Sequence, residues 1–433
     1  MNCLLDTFDY NAREFRRGRF FYVVEATSEY LVILLVTGSF LARITSELGF
    51  SDSLTGIISS FLSCGSLFQL FALLIRKKRV KRITIGMCVL SQLFFMLLYL
   101  IPLASLSSQV KTGSFICIIF IAFFVSNVVK PVKINWQMSL VKNGHRGRFT
   151  GSKEITSLIC GIVFSFVMGY IVDHFGMLKR MNTAFLIFAL TIFGLAVLTT
   201  LSMVFTIEPE REEVKQEKMT FPESLRKLLN NKNVLLLMCL FSLNSMSQTV
   251  ATSFLNTYMI KEMAFSQTFI VLLTTVSSVC RIISTIFLGK YADRKSFAAM
   301  ATLCFALNSA SYLICVFAVP ENGSIMLLLY YILNGAAMGG IGNAVLNLVF
   351  DYVPHTQRSD MIALSHAVSG VMALLATMTA GELVSYIQDS GNTFLGIAVY
   401  AQQVTALIGM FLAAFAMTLS VIILKKAFVL QKH

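Results

Sequence analysis

The sequence predicts an all-α membrane protein with twelve transmembrane helices in two pseudo-symmetric six-helix bundles. Three observations carry that reading. Of its 433 residues, 56% are hydrophobic and 13% charged, with a mean hydropathy of +0.75; an ordinary soluble domain carries about 25% charged residues. Apolar runs long enough to cross hydrocarbon, roughly 20 residues each, recur along the whole chain. Lys and Arg collect in alternate gaps between these runs, which is the positive-inside bias of membrane loops.

The runs fall at 20–43, 54–75, 83–104, 113–136, 153–173 and 181–206, then at 233–259, 266–289, 297–319, 324–350, 361–387 and 396–424. Between the two sets lies a mixed-charge stretch with Glu208, Glu210, Glu212, Glu213, Glu217 and Glu223 among its acids. The chain therefore divides into an N-terminal segment 1–19, a bundle 20–206, a linker 207–232, a bundle 233–424 and a tail 425–433. Residues 1–19 are mixed and charged, which predicts no cleaved leader.

Loop charge fixes the expected orientation. Of the 35 Lys and Arg, only Arg43, Lys111, Lys179, Arg180 and Lys261 fall on one side, and Lys130, Lys133 and Arg281 fall inside spans. All others flank the opposite face, so both termini and the linker are expected in the cytoplasm, with the chain multi-pass in the plasma (inner) membrane. The net charge of +13 is thereby assigned to topology, and no nucleic-acid partner is expected. The nine cysteines show no CxxC or metal-type spacing, and eight sit in apolar runs as small core residues. Trp136, at a span end, reads as an interface anchor.

The halves resemble each other. Val141-Lys-Asn-Gly-His-Arg146-Gly-Arg148 after span 4 aligns with Val353-Pro-His-Thr-Gln-Arg358-Ser-Asp360 after span 10, at an offset of 212 residues that matches Arg146 to Arg358. Repeats of this kind build many transporters, with the substrate site near the midplane.

Gly289-Lys-Tyr-Ala-Asp293-Arg294-Lys295, following span 8, resembles the Gly-x-x-x-Asp-Arg loop signature of the major facilitator superfamily. The resemblance implies that family's fold and a tight turn whose Gly289 allows close approach. It implies a conformational latch as well, made by Gly289, Asp293 and Arg294 with the basic positions Arg146 and Arg358. By the family's pseudo-symmetry, Asp293 would meet the start of span 5 near Gly151–Glu154, where a helix dipole stabilises a carboxylate. The loop after span 2, Arg76-Lys-Lys-Arg-Val-Lys-Arg82, lacks the Gly and Asp. Span 5 lacks the Gly-Pro motif of the family's drug antiporters.

Ionisable and amide side chains inside spans are the candidate site, because each is costly there. Glu25 and Glu29 lie one turn apart on span 1. Glu29 falls within about 5 Å of the midplane and Glu25 about 10 Å towards the cytoplasm, at 1.5 Å per residue. Asn127, Lys130 and Lys133 on span 4 reach overlapping depths, so these groups read either as a proton-coupling and substrate site or as a structural ion pair. Span 7 carries Asn244, Gln248, Thr252 and Asn256 at four-residue intervals, a polar stripe for a wet cavity or for interhelical hydrogen bonds. Arg281 on span 8 cannot discard its charge and reads as a ligand for an anionic or hydroxylated solute, or as a packing residue at the gate. Asn334 on span 10 completes the set.

The expected function is secondary active transport of a small polar organic solute, with a sugar-like compound in view, by alternating access with proton coupling through Glu29 or Glu25. A multidrug exporter and a non-transporting receptor or scaffold are the alternatives. No Walker motif, nucleophile elbow or His/Glu metal pair occurs, so neither an enzyme, nor an ATP-driven pump, nor a cofactor beyond the coupling proton is expected. The bilayer and the solute are the expected partners of a monomer.

Overall fold

A computed structural model describes residues 13–69, 80–141, 146–208, 232–353, 358–394 and 396–430. Residues 1–12, most of the basic loop after span 2 and the linker from 209 to 231 lie outside the described residues. The helices are α1 (Arg13–Leu35), α2 (Gly38–Glu47), α3 (Asp52–Phe68), α4 (Val80–Leu100), α5 (Ser108–Met138), α6 (Arg146–Met177) and α7 (Met181–Phe205). They continue as α8 (Lys232–Ser253), α9 (Leu255–Lys261), α10 (Gln267–Arg294), α11 (Phe297–Val316), α12 (Gly323–Tyr352), α13 (Arg358–Asp389) and α14 (Ala401–Leu430). A two-stranded antiparallel ribbon, β1 (Thr393–Phe394) and β2 (Ile397–Ala398), joins α13 to α14.

Ten of the described helical segments are long and apolar enough to cross a membrane, and the bent pair α1–α2 makes an eleventh. Helix α3, 17 residues long, stands where the sequence places the second span. The first span is broken because Gly38 adopts φ +58°, a left-handed conformation that a side chain disfavours; α1 and α2 meet there at 40°. The carbonyl of Leu35, left without a helical partner at this break, accepts a 2.5 Å hydrogen bond from the Tyr99 hydroxyl. Span 7 is interrupted at Phe254, between α8 and α9.

The chain forms two compact units, residues 1–48 with 68–215 and residues 49–67 with 216–433. In the first, α4 packs on α5 and α7, and α1 packs on α6 and α7. In the second, α11 packs on α12 and α14, and α8 packs on α13 and α14. Each pairing is the other displaced by six spans, which is the packing of a duplicated unit. Helices α6 and α13 are each 32 residues long, and Arg146 and Arg358 open them at the offset read from the loops. The side chains of both arginines lie outside the described residues.

Membrane-facing surface is legible in the burial pattern. On α6, Ile155, Ile159, Val163, Val167 and Tyr170 are all exposed, a one-sided apolar stripe at helical spacing. The core of the first unit is aromatic, with Phe95, Tyr99, Phe115 and Phe188 fully buried. Trp136 is a correction: it is buried rather than an interface anchor, and its indole N–H donates to the Ile207 carbonyl at 3.0 Å.

In the second unit α10 and α12 approach closely through glycine. A Cβ at Gly335 would collide with the Ser277 carbonyl oxygen, and one at Gly339 with the Ser284 hydroxyl. Backbone cannot move aside as a side-chain tip can, so Gly335→Ala is expected to destabilise by about 1–3 kcal/mol, the usual range for overpacking. Thermal unfolding of purified protein measures it, and an unchanged midpoint refutes the close-packing role.

Candidate substrate and coupling site

In the first unit, span 4 delivers a lysine to two carboxylates of span 1. Lys133, on α5, donates its Nζ to Glu25 Oε1 at 3.0 Å and to Glu29 Oε2. Gln137, one turn further along α5, donates Nε2 to the other oxygen of Glu25 at 2.7 Å. The i,i+4 spacing places Lys133 and Gln137 on one face, just as Glu25 and Glu29 share a face of α1. Pro131, between Lys130 and Lys133, has no amide hydrogen and removes a helical bond at this level of α5.

The two carboxylates are not equivalent. The side chain of Glu25 is 2% exposed and that of Glu29 31%, with Lys133 at 4%. Glu25 is thus fixed by two donors in a dry setting, whereas Glu29 has one donor and an open side. Lys130 and Lys153 add positive charge around Glu29, and Lys153 also lies over the Tyr22 ring, 5.1 Å from its centre. Sequence placed Lys130 and Lys133 together; the structure separates them, with Lys133 buried and paired and Lys130 exposed.

Asn127 is buried and spends its amide on its own helix, donating to Phe123 O at 2.9 Å. Its Oδ1 accepts from Gln69 at 3.5 Å. Helix α1 is held to α6 by Thr27 against Ser157, 3.1 Å apart, and by Gly161, where a Cβ would press on the Tyr30 ring.

In the second unit the polar stripe of span 7 is real. Asn244, Gln248, Thr252 and Asn256 are each half-buried, whereas Ser247, Thr249, Val250 and Ala251 between them are buried. Thr252 returns its hydroxyl to Gln248 O at 2.8 Å, and Gln248 points its amide at the Met338 sulfur. Asn244 Oδ1 is buried without a protein partner. Asn334 belongs to packing instead, since its Nδ2 donates to Oδ1 of the fully buried Asn308 at 3.0 Å. Arg281 lies exposed midway along α10.

A third polar cluster, unforeseen from sequence, lies at the other end of the second unit. Asp52, at the start of α3, accepts from Lys261 Nζ at 2.6 Å and from Gln388 Nε2 at 2.6 Å. Lys261 donates also to Phe50 O at 3.0 Å. Close packing backs these bonds, because a Cβ at Gly56 would enter the Phe254 ring and one at Gly381 would meet Ser53.

The sequence matches the family model of the Major Facilitator Superfamily over residues 20–377 and again over 237–429. The chain belongs to the major facilitator superfamily. It is therefore a multi-pass membrane transporter and not an enzyme. No curated protein matches the sequence, so the likeness beyond the family is structural. A crystal structure of a mutant of the nucleoside transporter NupG matches with a TM-score of 0.73 at 13% identity, over 93% of this chain and 98% of that one. A bacterial homologue of the iron transporter ferroportin, in an inward-facing state, gives 0.70 at 15% identity over 94% and 98%. A D-xylose-proton symporter gives 0.64 at 11% identity over 92% and 97%. At these identities the likeness shows the shared fold.

The superfamily's loop signature needs a correction in this transporter. Gly289 to Arg294 are not a turn but the last helical turns of α10, and the turn itself is Lys295–Ser296. Nothing lies within 4 Å of a Cβ at Gly289, so neither positive φ nor close approach explains the glycine. Ser296 makes the sharp reversal possible by capping α11, its hydroxyl accepting from Ala299 N at 3.1 Å. Arg294 is exposed, and the side chain of Asp293 lies outside the described residues.

Proposed function

We propose that this transporter moves a small polar organic solute by alternating access, driven by protons that bind at Glu29. The observation that carries the proposal is the Lys133 bridge between one buried and one half-open carboxylate. When Glu29 takes a proton, Lys133 keeps Glu25 as its counter-ion, so the lysine is never left unpaired. That asymmetry fits an exchangeable site better than a static ion pair, in which both acids would be shut away. The half-buried stripe Asn244, Gln248, Thr252 and Asn256 supports a polar cargo by offering hydrogen-bonding groups in a row. Loop charge supports cytoplasmic termini; the plasma membrane is the proposed location, and a monomer working with solute and lipid is sufficient.

Proteoliposomes with a pH dye inside and a panel of sugars, nucleosides, amino acids and organic acids outside test this. One class of solute should change internal pH in wild-type vesicles and leave empty vesicles unaffected. Solute uptake that is indifferent to an imposed pH gradient would reject coupling. Preferential uptake of large apolar cations would favour the multidrug reading instead.

A further inference from the structure

Among the described residues Arg281 has no counter-ion, and that bears on the cargo. It occupies the middle of a span running from Gln267 to Ala292. Gly289 lies eight positions on, about 12 Å at 1.5 Å per residue, further than an arginine stem extends to reach loop water. Among the described residues no carboxylate comes within ion-pair distance of its guanidinium. Lys133 and Lys261, by contrast, are both paired with acids.

The exposed apolar face of α10 centres elsewhere. At 100° per residue, the exposed apolar residues Leu272, Val279, Ile282, Ile283, Ile286, Phe287 and Tyr291 centre on the side of α10 opposite Arg281. Position 281 lies on the side of α10 where Ser277, Ser284 and Thr285 meet the glycines of α12, and its side chain is exposed. The neighbouring hydroxyls are turned to backbone: Ser284 and Thr285 donate to the Arg281 carbonyl at 3.0 and 2.7 Å, and Ser278 donates to Thr274 O at 2.9 Å. What remains is a planar fork of donors, exposed at mid-span and engaged by none of the described residues. Such a cation cannot lose its proton, and it requires an acceptor there.

We infer that the transported solute carries an oxyanion, a carboxylate or a phosphate monoester, and that Arg281 is its ligand. The inference rests on the reading of this chain as a polar-solute transporter. An oxyanion satisfies the guanidinium through two parallel N–H···O bonds, the strongest arrangement open to it. A neutral solute would leave the guanidinium uncompensated at mid-span.

The test is thermal stabilisation of the full-length protein in lipid nanodiscs by matched probes: a hexose, the corresponding hexuronate, the hexose 6-phosphate, and C4 and C6 dicarboxylates, all at equal ionic strength. At least one anionic probe should raise the unfolding midpoint while the hexose does not, and the larger shift distinguishes carboxylate from phosphate. Arg281→Gln should abolish the shift, and Arg281→Lys should retain a shift with apparent affinity weakened about tenfold or more because the fork is lost. The lysine variant keeps the charge and so serves should the glutamine variant not fold. Stabilisation by the hexose alone overturns the oxyanion while leaving polar-solute transport standing. A shift undiminished in both Arg281 variants, or no shift with any probe, also overturns it; in the last case the proton-flux assay judges transport by itself.

Discussion

Replacing Glu29 with Gln is expected to abolish proton-driven accumulation while leaving counterflow exchange partly intact. The amide keeps the shape of the carboxylic acid and its place against Lys133, but it cannot release a proton. Exchange needs the loaded site to reorient without net proton movement, so it survives. The opposite outcome is expected at Glu25. There two donors converge on a side chain that is almost wholly buried, and Glu25→Gln should reduce folded yield and every transport mode together. Vesicles loaded with labelled solute, assayed with and without an imposed pH gradient, separate the two. Normal gradient-driven uptake in Glu29→Gln would move the coupling role to Glu25 and undo the asymmetry argument.

The parts of this molecule that sequence reveals are those where the membrane makes a residue expensive. The long apolar spans were legible because hydrocarbon tolerates no exposed polar backbone. Glu25, Glu29 and Lys133 were legible because charge at that depth demands a reason. The breaks were not: Gly38 is one glycine among many until its φ is known, and Phe254 carries no helix-breaking signal. Gln137 was missed because a glutamine near a span end is ordinary, although its position four residues after Lys133 marked the shared face. Asp52 and Lys261 were missed for the same reason, since each sits at a helix end where charge is cheap. Their pairing exists only in three dimensions. Asn334 was overvalued because a sequence cannot show that a buried Asn308 stands opposite it.

The largest effect on stability is expected at Lys133. Removing it as Lys133→Met leaves two carboxylates in a site from which water is largely excluded, one of them accepting only from Gln137. Breaking a buried pair by deleting one partner typically destabilises by about 3–5 kcal/mol, because the remaining charge keeps its desolvation penalty. A membrane protein carrying that defect should lose most of its folded yield and melt well below wild type. The double variant Glu25→Gln with Lys133→Met removes the buried charge on both sides and leaves Glu29, with its open face and the nearby Lys130 and Lys153. It should therefore recover a large part of the loss, since a pair replaced by neutral groups is often near neutral in stability. Glu29→Gln with Lys133→Met should recover less, because Glu25 then stays ionised in the drier position. Midpoints for the two single carboxylate variants, the lysine variant and both doubles close the thermodynamic cycles. Equal recovery in the two doubles would show that Lys133 serves the carboxylates alike, and the assignment of Glu25 as its permanent partner would fall.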